Sequence, residues 1–120
     1  MQLRKKTSYK TGVEAEEKCK KLLENKGFEI VAERFKVYGV GEIDLIAKKE
    51  NLIVFVEVKR RGSIAKALES VSLRQQSRII NTAGMFLAEH EEYANYDIRF
   101  DVIAVTDGTV EHLENAFGAV

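Results

Sequence analysis

The sequence predicts an α/β fold, a mixed β-sheet flanked by α-helices, with elements in the order α-β-β-β-α-β(-β). Three observations predict it. Apolar residues recur at helical spacing in 11–26 and again in 72–88. Between and after these stretches the period falls to two, in runs rich in β-branched and aromatic residues. Within them, Leu52-Ile53-Val54-Phe55-Val56 is apolar at every position, as a strand covered on both faces requires, which places it centrally in the sheet.

Residues 1–10 are polar and basic and are expected to form a loose arm. Thr11-Gly12-Val13-Glu14 has the form of a capping box that opens a helix, Ala15, Cys19, Leu22 and Leu23 share its buried stripe, and Gly27 ends it. Phe28, Ile30 and Ala32 alternate as a first strand, and Arg34 to Val40 read as a polar connection. Gly41 to Ala47 and Leu52 to Lys59 are two more strands, and the short polar link between them makes them an antiparallel hairpin. Ser72-Leu73-Arg74-Gln75 is a second capping-box pattern, followed by the stripe Ile79, Ile80, Ala83, Phe86 and Leu87. Glu89 to Tyr96 is an acidic connection. Ile98 to Val105 is β-rich, and the turn dipeptide Asp107-Gly108 leads to a short strand from Thr109 to about Leu113.

At 120 residues the chain falls below the roughly 150 that serve as a prior for one domain, so a single domain over 1–120 is expected. No apolar run approaches the roughly 18 residues of a membrane-spanning helix, and none follows the basic residues Arg4, Lys5 and Lys6 as a signal peptide requires. The lone Cys19 excludes an internal disulfide framework and a multi-thiolate zinc site, and a buried thiol in a reducing, cytoplasmic setting is expected. Net charge is zero, which excludes a polycation that holds nucleic acid by bulk charge. The charge is unevenly placed, with 14 basic and 10 acidic residues in 1–60 against 5 and 9 in 61–120, so a local basic face remains open.

Chemistry concentrates in the hairpin. Side chains alternate along a strand, so Glu42 and Asp44 share a face, as do Glu57 and Lys59. If paired residue numbers sum to 99, Asp44 lies opposite Phe55; if they sum to 101, Asp44 faces Glu57. Either odd sum gathers Asp44, Glu57 and Lys59 on one side, and an even sum separates them. Two carboxylates at the end of a buried strand repel each other and resist desolvation, a penalty that a hard divalent cation removes. Asp44, Glu57 and the carbonyl of Val58 suit magnesium or manganese, and Lys59 is suited to hold a water or to stabilise charge on a phosphate oxygen. Metal-assisted phosphodiester hydrolysis is the reaction this set serves best, while a strand-end ion-pair cluster would use the same residues without chemistry.

Gly12-x-x-Ala15-Glu16-x-x-Cys19-x-x-x-Leu23-x-x-x-Gly27-Phe28, Gly41-Glu42-Ile43-Asp44-Leu45-Ile46-Ala47 and Phe55-Val56-Glu57-Val58-Lys59-x-Arg61 resemble the successive motifs of the YraN family of small bacterial proteins, uncharacterised protein family 0102. The resemblance continues through Val71, Ala83, Leu87, Arg99-Phe100-Asp101-Val102 and His112-x-x-Asn115-Ala116-Phe117. It implies the restriction-endonuclease-like fold and the PD-(D/E)xK nuclease superfamily. By position it implies that Asp44 and Glu57 are metal-binding acids, Lys59 the catalytic lysine and Glu16 the acid of the first helix. Ile43 replaces the superfamily's proline, Ala65 stands where the family usually has glycine, and Gln75 where it usually has lysine.

At the margin, Glu16 borders the buried stripe of its helix, Glu42 could line the site or pair with Arg60 or Arg61, and Gln76 could hydrogen-bond into the acidic cluster or to a phosphate, or satisfy the core edge. Arg60, Arg61, Arg74 and Arg78 are candidates for phosphate contacts that carry no sequence information, and Lys66 could join them. Arg99 and Asp101 are expected to form a structural pair, and His112 alone makes no zinc site. The expected function is a magnesium- or manganese-dependent endonuclease-like protein acting on DNA, branched DNA included, with a homodimer left open. The alternatives are a nucleic-acid-binding module without cleavage and an adaptor for a DNA-processing protein.

Overall fold

The computed structural model describes the backbone of residues 2–118 and the side chains of residues 12–118. Its elements are α1 (Gln2–Asn25), β1 (Glu29–Val37), β2 (Gly41–Lys49), β3 (Leu52–Arg60), α2 (Ile64–Glu69), α3 (Leu73–Ala88), a 3-10 turn at Glu91–Tyr93, β4 (Asp97–Thr106) and β5 (Thr109–Phe117). The strands form one sheet in the order β1-β2-β3-β4-β5, antiparallel except for the parallel pair β3–β4. A parallel pair needs a crossover, and α2 and α3 supply it. The predicted mixed sheet flanked by helices is the one observed, and the layout agrees with the restriction-endonuclease-like fold.

The uniformly apolar run dictates the layering. Ile53, Phe55 and Val102 pack against Ile79, Ala83 and Phe86 of α3 on one face. On the other, Val54, Val56 and Ile103 pack against Cys19 and Leu23 of α1. Residues 53–56 are fully buried, and each such side chain contributes roughly 1.5–3 kcal/mol by leaving water.

Several expectations need correction. The backbone of residues 2–10 continues α1 and is no loose arm; the segment holds neither proline nor glycine and is rich in lysine, arginine and other helix formers. The Thr11–Glu14 pattern therefore lies inside the helix and does not begin it. Met1 lies outside the described residues. Gly27 does close α1, at φ +94°, with the Phe28 N–H returning to the Leu23 carbonyl. Residues 34–37, expected in a connection, extend β1, because Phe35 and Val37 pair with Ile43 and Gly41. Residues 64–69, left unassigned by the sequence, form α2 with Ser63 as N-cap, and β5 runs four residues past Leu113 to Phe117. Ser72 caps α3 as expected, its hydroxyl accepting from the Gln75 N–H at 3.1 Å. Among the described residues no helix is long and apolar enough to cross a membrane.

Candidate active site

The β2–β3 pairing decides the register question. Leu45 pairs with Val56 and Lys49 with Leu52, so the sum is 101 and the turn centres on Glu50-Asn51, with Glu50 at φ +53°. This is the alternative that sets Asp44 level with Glu57. The ladder itself stops at Leu45, one residue short of Asp44.

Both β1 and β2 are distorted there. Leu45 packs on the α1 face and Ile43 on the α3 face, although residues two apart in a regular strand share a face. In β1, Arg34 adopts φ +50° between the pairs Glu33–Leu45 and Phe35–Ile43. Because both strands switch faces together, their mutual register is kept. Asp44, at the switch, reaches across to β3, where its Oδ2 accepts the Val58 N–H at 2.7 Å. The N–H and C=O of one strand residue leave on the same side, so the Val58 carbonyl also faces Asp44 and not β4.

Glu57 and Lys59 follow Ile53 and Phe55 onto the α3 side. Gln75, in the first turn of α3, ties the two together. Its amide nitrogen donates to Glu57 Oε2, and its Oε1 accepts from Lys59 Nζ at 3.2 Å. Lys59 Nζ lies 3.5 Å from the same Glu57 oxygen. Glu57 is only 6% exposed. Burial pushes its carboxyl up to about 8, and a hydrogen bond and charge repulsion from Asp44 push the same way, with Lys59 offsetting part of the rise. On the α1 side, burial together with the charges of Asp44 and Glu16 pushes the Cys19 thiol up to about 12, which leaves it an unreactive core group, as expected.

The acid pair opens onto a cavity of about 690 Å³ whose walls include Asp44, Glu57, Gln75, Arg74 and Arg78. A smaller cavity of about 170 Å³ on the opposite face is lined by Glu16, Asp44, Val58 and Arg60. Asp44 thus stands between the two.

The family described as Uncharacterised protein family UPF0102 matches residues 15–105. The chain belongs to this family. UPF0102 proteins similar to it include one from Azorhizobium caulinodans, 46% identical over 115 residues that cover 95% of this chain and 87% of the relative. Another, from Rhodopseudomonas palustris strain CGA009, is 43% identical over 93% of this chain and 86% of its own length. One from Francisella tularensis is 36% identical over 91% and 95%.

Within this UPF0102 chain, the structure brings together Asp44, Glu57, Val58 and Lys59 as the register argument required. Arg74, Arg78 and the exposed Glu42 line the same large cavity. Glu16 is on the α1 side, where it accepts a hydrogen bond from Arg34 Nε at 3.0 Å and shares the small cavity with Asp44. Arg60 lines that small cavity and, with Arg61 and Lys18, a third one beside Gly108. Arg61 turns back onto the Arg60 carbonyl, and among the described residues neither arginine forms an ion pair with Glu42. Gln76 does not reach the acids; its amide donates to the Val71 carbonyl at 3.1 Å. The amide that enters the site is Gln75, about 100° away on the helix. Its signal was present as the departure from the family's lysine, but a single helical turn cannot be aimed at a strand before the crossover is known. Among the described residues no three His, Cys, Asp or Glu side chains gather as a metal cluster, so any cation here would rest on two carboxylates and backbone or water oxygens.

Proposed function

We propose that this UPF0102 chain is a divalent-cation-dependent nuclease that hydrolyses phosphodiester bonds in DNA. The observation that carries the reading is the buried Glu57 carboxyl pressed against Asp44 beside Lys59, at the wall of a cavity edged by arginines. Unpaired like charges in a dry site cost stability, and a pair so placed suits a charge that arrives from outside. The donors are all hard oxygens: Asp44, Glu57 and the Val58 carbonyl, a set that fits Mg²⁺ or Mn²⁺ completed by water. Bound there, the cation supplies Lewis acidity and neutralises charge on the phosphoryl group.

The chain's own residues do the rest. Glu57 must lose its proton to become a ligand. Lys59, fixed by Gln75, presents an ammonium group to phosphoryl oxygen as charge builds on it. Arg74 and Arg78 lie where the flanking phosphates of a bound strand would run. The test is cleavage of single-stranded, duplex and four-way DNA with magnesium or manganese, comparing the unaltered protein with Asp44→Ala and Lys59→Ala. Loss of at least 100-fold in both variants and complete loss with a chelator are expected, and equal cleavage by all three proteins would refute the assignment.

A second reading, a fold that grips DNA without cutting it, draws on one observation: Glu57 Oε2 is already engaged by Gln75 and Lys59. That reading expects salt-sensitive DNA affinity that survives chelation with no cleavage under any cation.

A further inference from the structure

Tyr38 has no structural task. It sits in the turn between β1 and β2 and is 94% exposed, the most of any large hydrophobic residue among the described residues. The turn that carries it is rigidly held. The Val40 N–H closes onto the Val37 carbonyl at 2.9 Å, and Arg78 Nε donates to the Val40 carbonyl at 3.0 Å. Gly41 lies so close to α3 that a Cβ there would come within 2.6 Å of Thr82 Oγ1 and 3.1 Å of the Arg78 carbonyl oxygen. The hairpin tip is therefore clamped to the helix, and the ring projects from a fixed base into solvent. Lys36 Nζ lies 5.8 Å from the ring centroid.

The tip is joined to the acid pair by a basic trough. The large cavity holding Asp44 and Glu57 and a neighbouring one of about 480 Å³, lined by Gly39, Val40 and Asn81, share Arg74 and Arg78 as walls. From Asp44 to Gly41 is three strand residues, about 10 Å at roughly 3.4 Å each. That is a span of roughly three stacked nucleotides. The far end of the trough is lined by Gly39, the residue that follows Tyr38 in the turn.

We propose that Tyr38 is a specificity-determining residue that stacks on an unpaired base of DNA, so that the site prefers a strand with a base free of its partner a few nucleotides from the bond presented to Asp44 and Glu57. This rests on the nuclease reading only in assuming that DNA lies in the trough. A paired base keeps both faces against its neighbours and offers the ring nothing, whereas an unpaired base can stack on an aromatic face with any sequence. Lys36, beside the ring, adds a cation next to the phosphate of the stacked nucleotide.

The experiment measures binding without cleavage. The full chain, in a chelator, is titrated onto two DNA duplexes of one sequence, one fully paired and one carrying a single unpaired 2-aminopurine. The expected result is about tenfold tighter binding to the second, with quenching of the 2-aminopurine emission. Tyr38→Ala should bring the two affinities within about twofold while leaving that for the paired duplex unchanged, and Tyr38→Trp should retain the preference. A preference that survives Tyr38→Ala, or no preference in the unaltered protein, overturns the proposal and leaves the nuclease reading standing. Binding to neither duplex overturns the proposal as well, and leaves the nuclease reading to its own cleavage test. The expected preference in a protein that cleaves nothing would uphold the role of Tyr38 and remove the nuclease.

Discussion

Two buried carboxyl groups sit on neighbouring central strands and behave in opposite ways. Asp101 of β4 is fully buried, yet its carboxyl lies below the usual carboxylate range: burial alone would raise it, and hydrogen bonds from His112, from Arg99 and from the Asn115 N–H outweigh that. Arg99 grips both oxygens at 2.9 Å, His112 Nε2 lies at 2.7 Å, and Lys26 Nζ lies 2.9 Å from the other ring nitrogen of His112. Glu57 of β3 is slightly less buried and far less satisfied, with one amide, one ammonium group at 3.5 Å and a second carboxyl against it. Burial does not explain the difference between the two acids. What separates them is whether the fold itself supplies the countercharge.

The sharpest way to break this comparison is to remove Asp101. Asp101→Asn should cost about 3 kcal/mol of stability by urea denaturation, because it removes the charge that pairs with Arg99 and puts an amide donor in place of one of the two oxygens that accept from Arg99 and the buried His112. A cost below 0.5 kcal/mol would erase the contrast. The second prediction concerns the missing countercharge. Magnesium at about a hundred times its dissociation constant should raise stability by about 2.7 kcal/mol, more at pH 8.5 than at pH 6, and thermal melts of Asp44→Ala should show no such gain.

Third comes pH. Glu57 stands at about 8 in the folded chain against an ordinary value of 4.5, so the folded state binds the extra proton between those limits. Its contribution to stability must therefore fall as pH rises from about 4.5 to about 8 and level off above, whereas that of Asp101 is present above its unfolded value near 3.8 and lost only as acid is added below it. Glu57→Gln should flatten the first slope and be the more stable protein at pH 8, by about 1–2 kcal/mol. The smallest effect is the most pointed. Gln75→Lys would place beside Glu57 the kind of partner Asp101 already has, and should lower the Glu57 carboxyl by about one pH unit in a carbon-detected NMR titration.

Much of this contrast was legible in the residues. The apolar run from Leu52 to Val56 announced a central strand, Ser72 announced the start of α3, and period two alone put Glu57 with Lys59. The Arg99–Asp101 pair followed in the same way from its spacing. What stayed hidden depends on cooperation between distant segments. Two hairpin registers were equally good until the Glu50 turn chose one, since neither Glu50 nor Asn51 has the glycine that would have marked the centre. The face switch at Asp44 requires Arg34 to take a left-handed backbone conformation, against the preference of any residue with a side chain of that size. Gln75 and Gln76 differ by one position, and only the angle at which α3 meets the sheet decides between them. The start of α1 is hidden because the Thr11–Glu14 pattern is a local capping signal, whereas the helix upstream of it rests on propensity summed over residues 2–10.

The chain separation of the site's parts has a temporal consequence. Asp44 and Glu57 are brought level by a two-residue turn, whereas β3 meets β4 only across an offset of 45 residues, Leu52 with Asp97. Closing the short loop costs little entropy and closing the long one costs more, so the hairpin is expected to assemble first, with its two acids facing open water until α3 packs over them. The repulsion between them is thus met late, as the last layer excludes solvent, and alkaline refolding should be slowed at that final step while collapse of the hairpin proceeds at its usual speed.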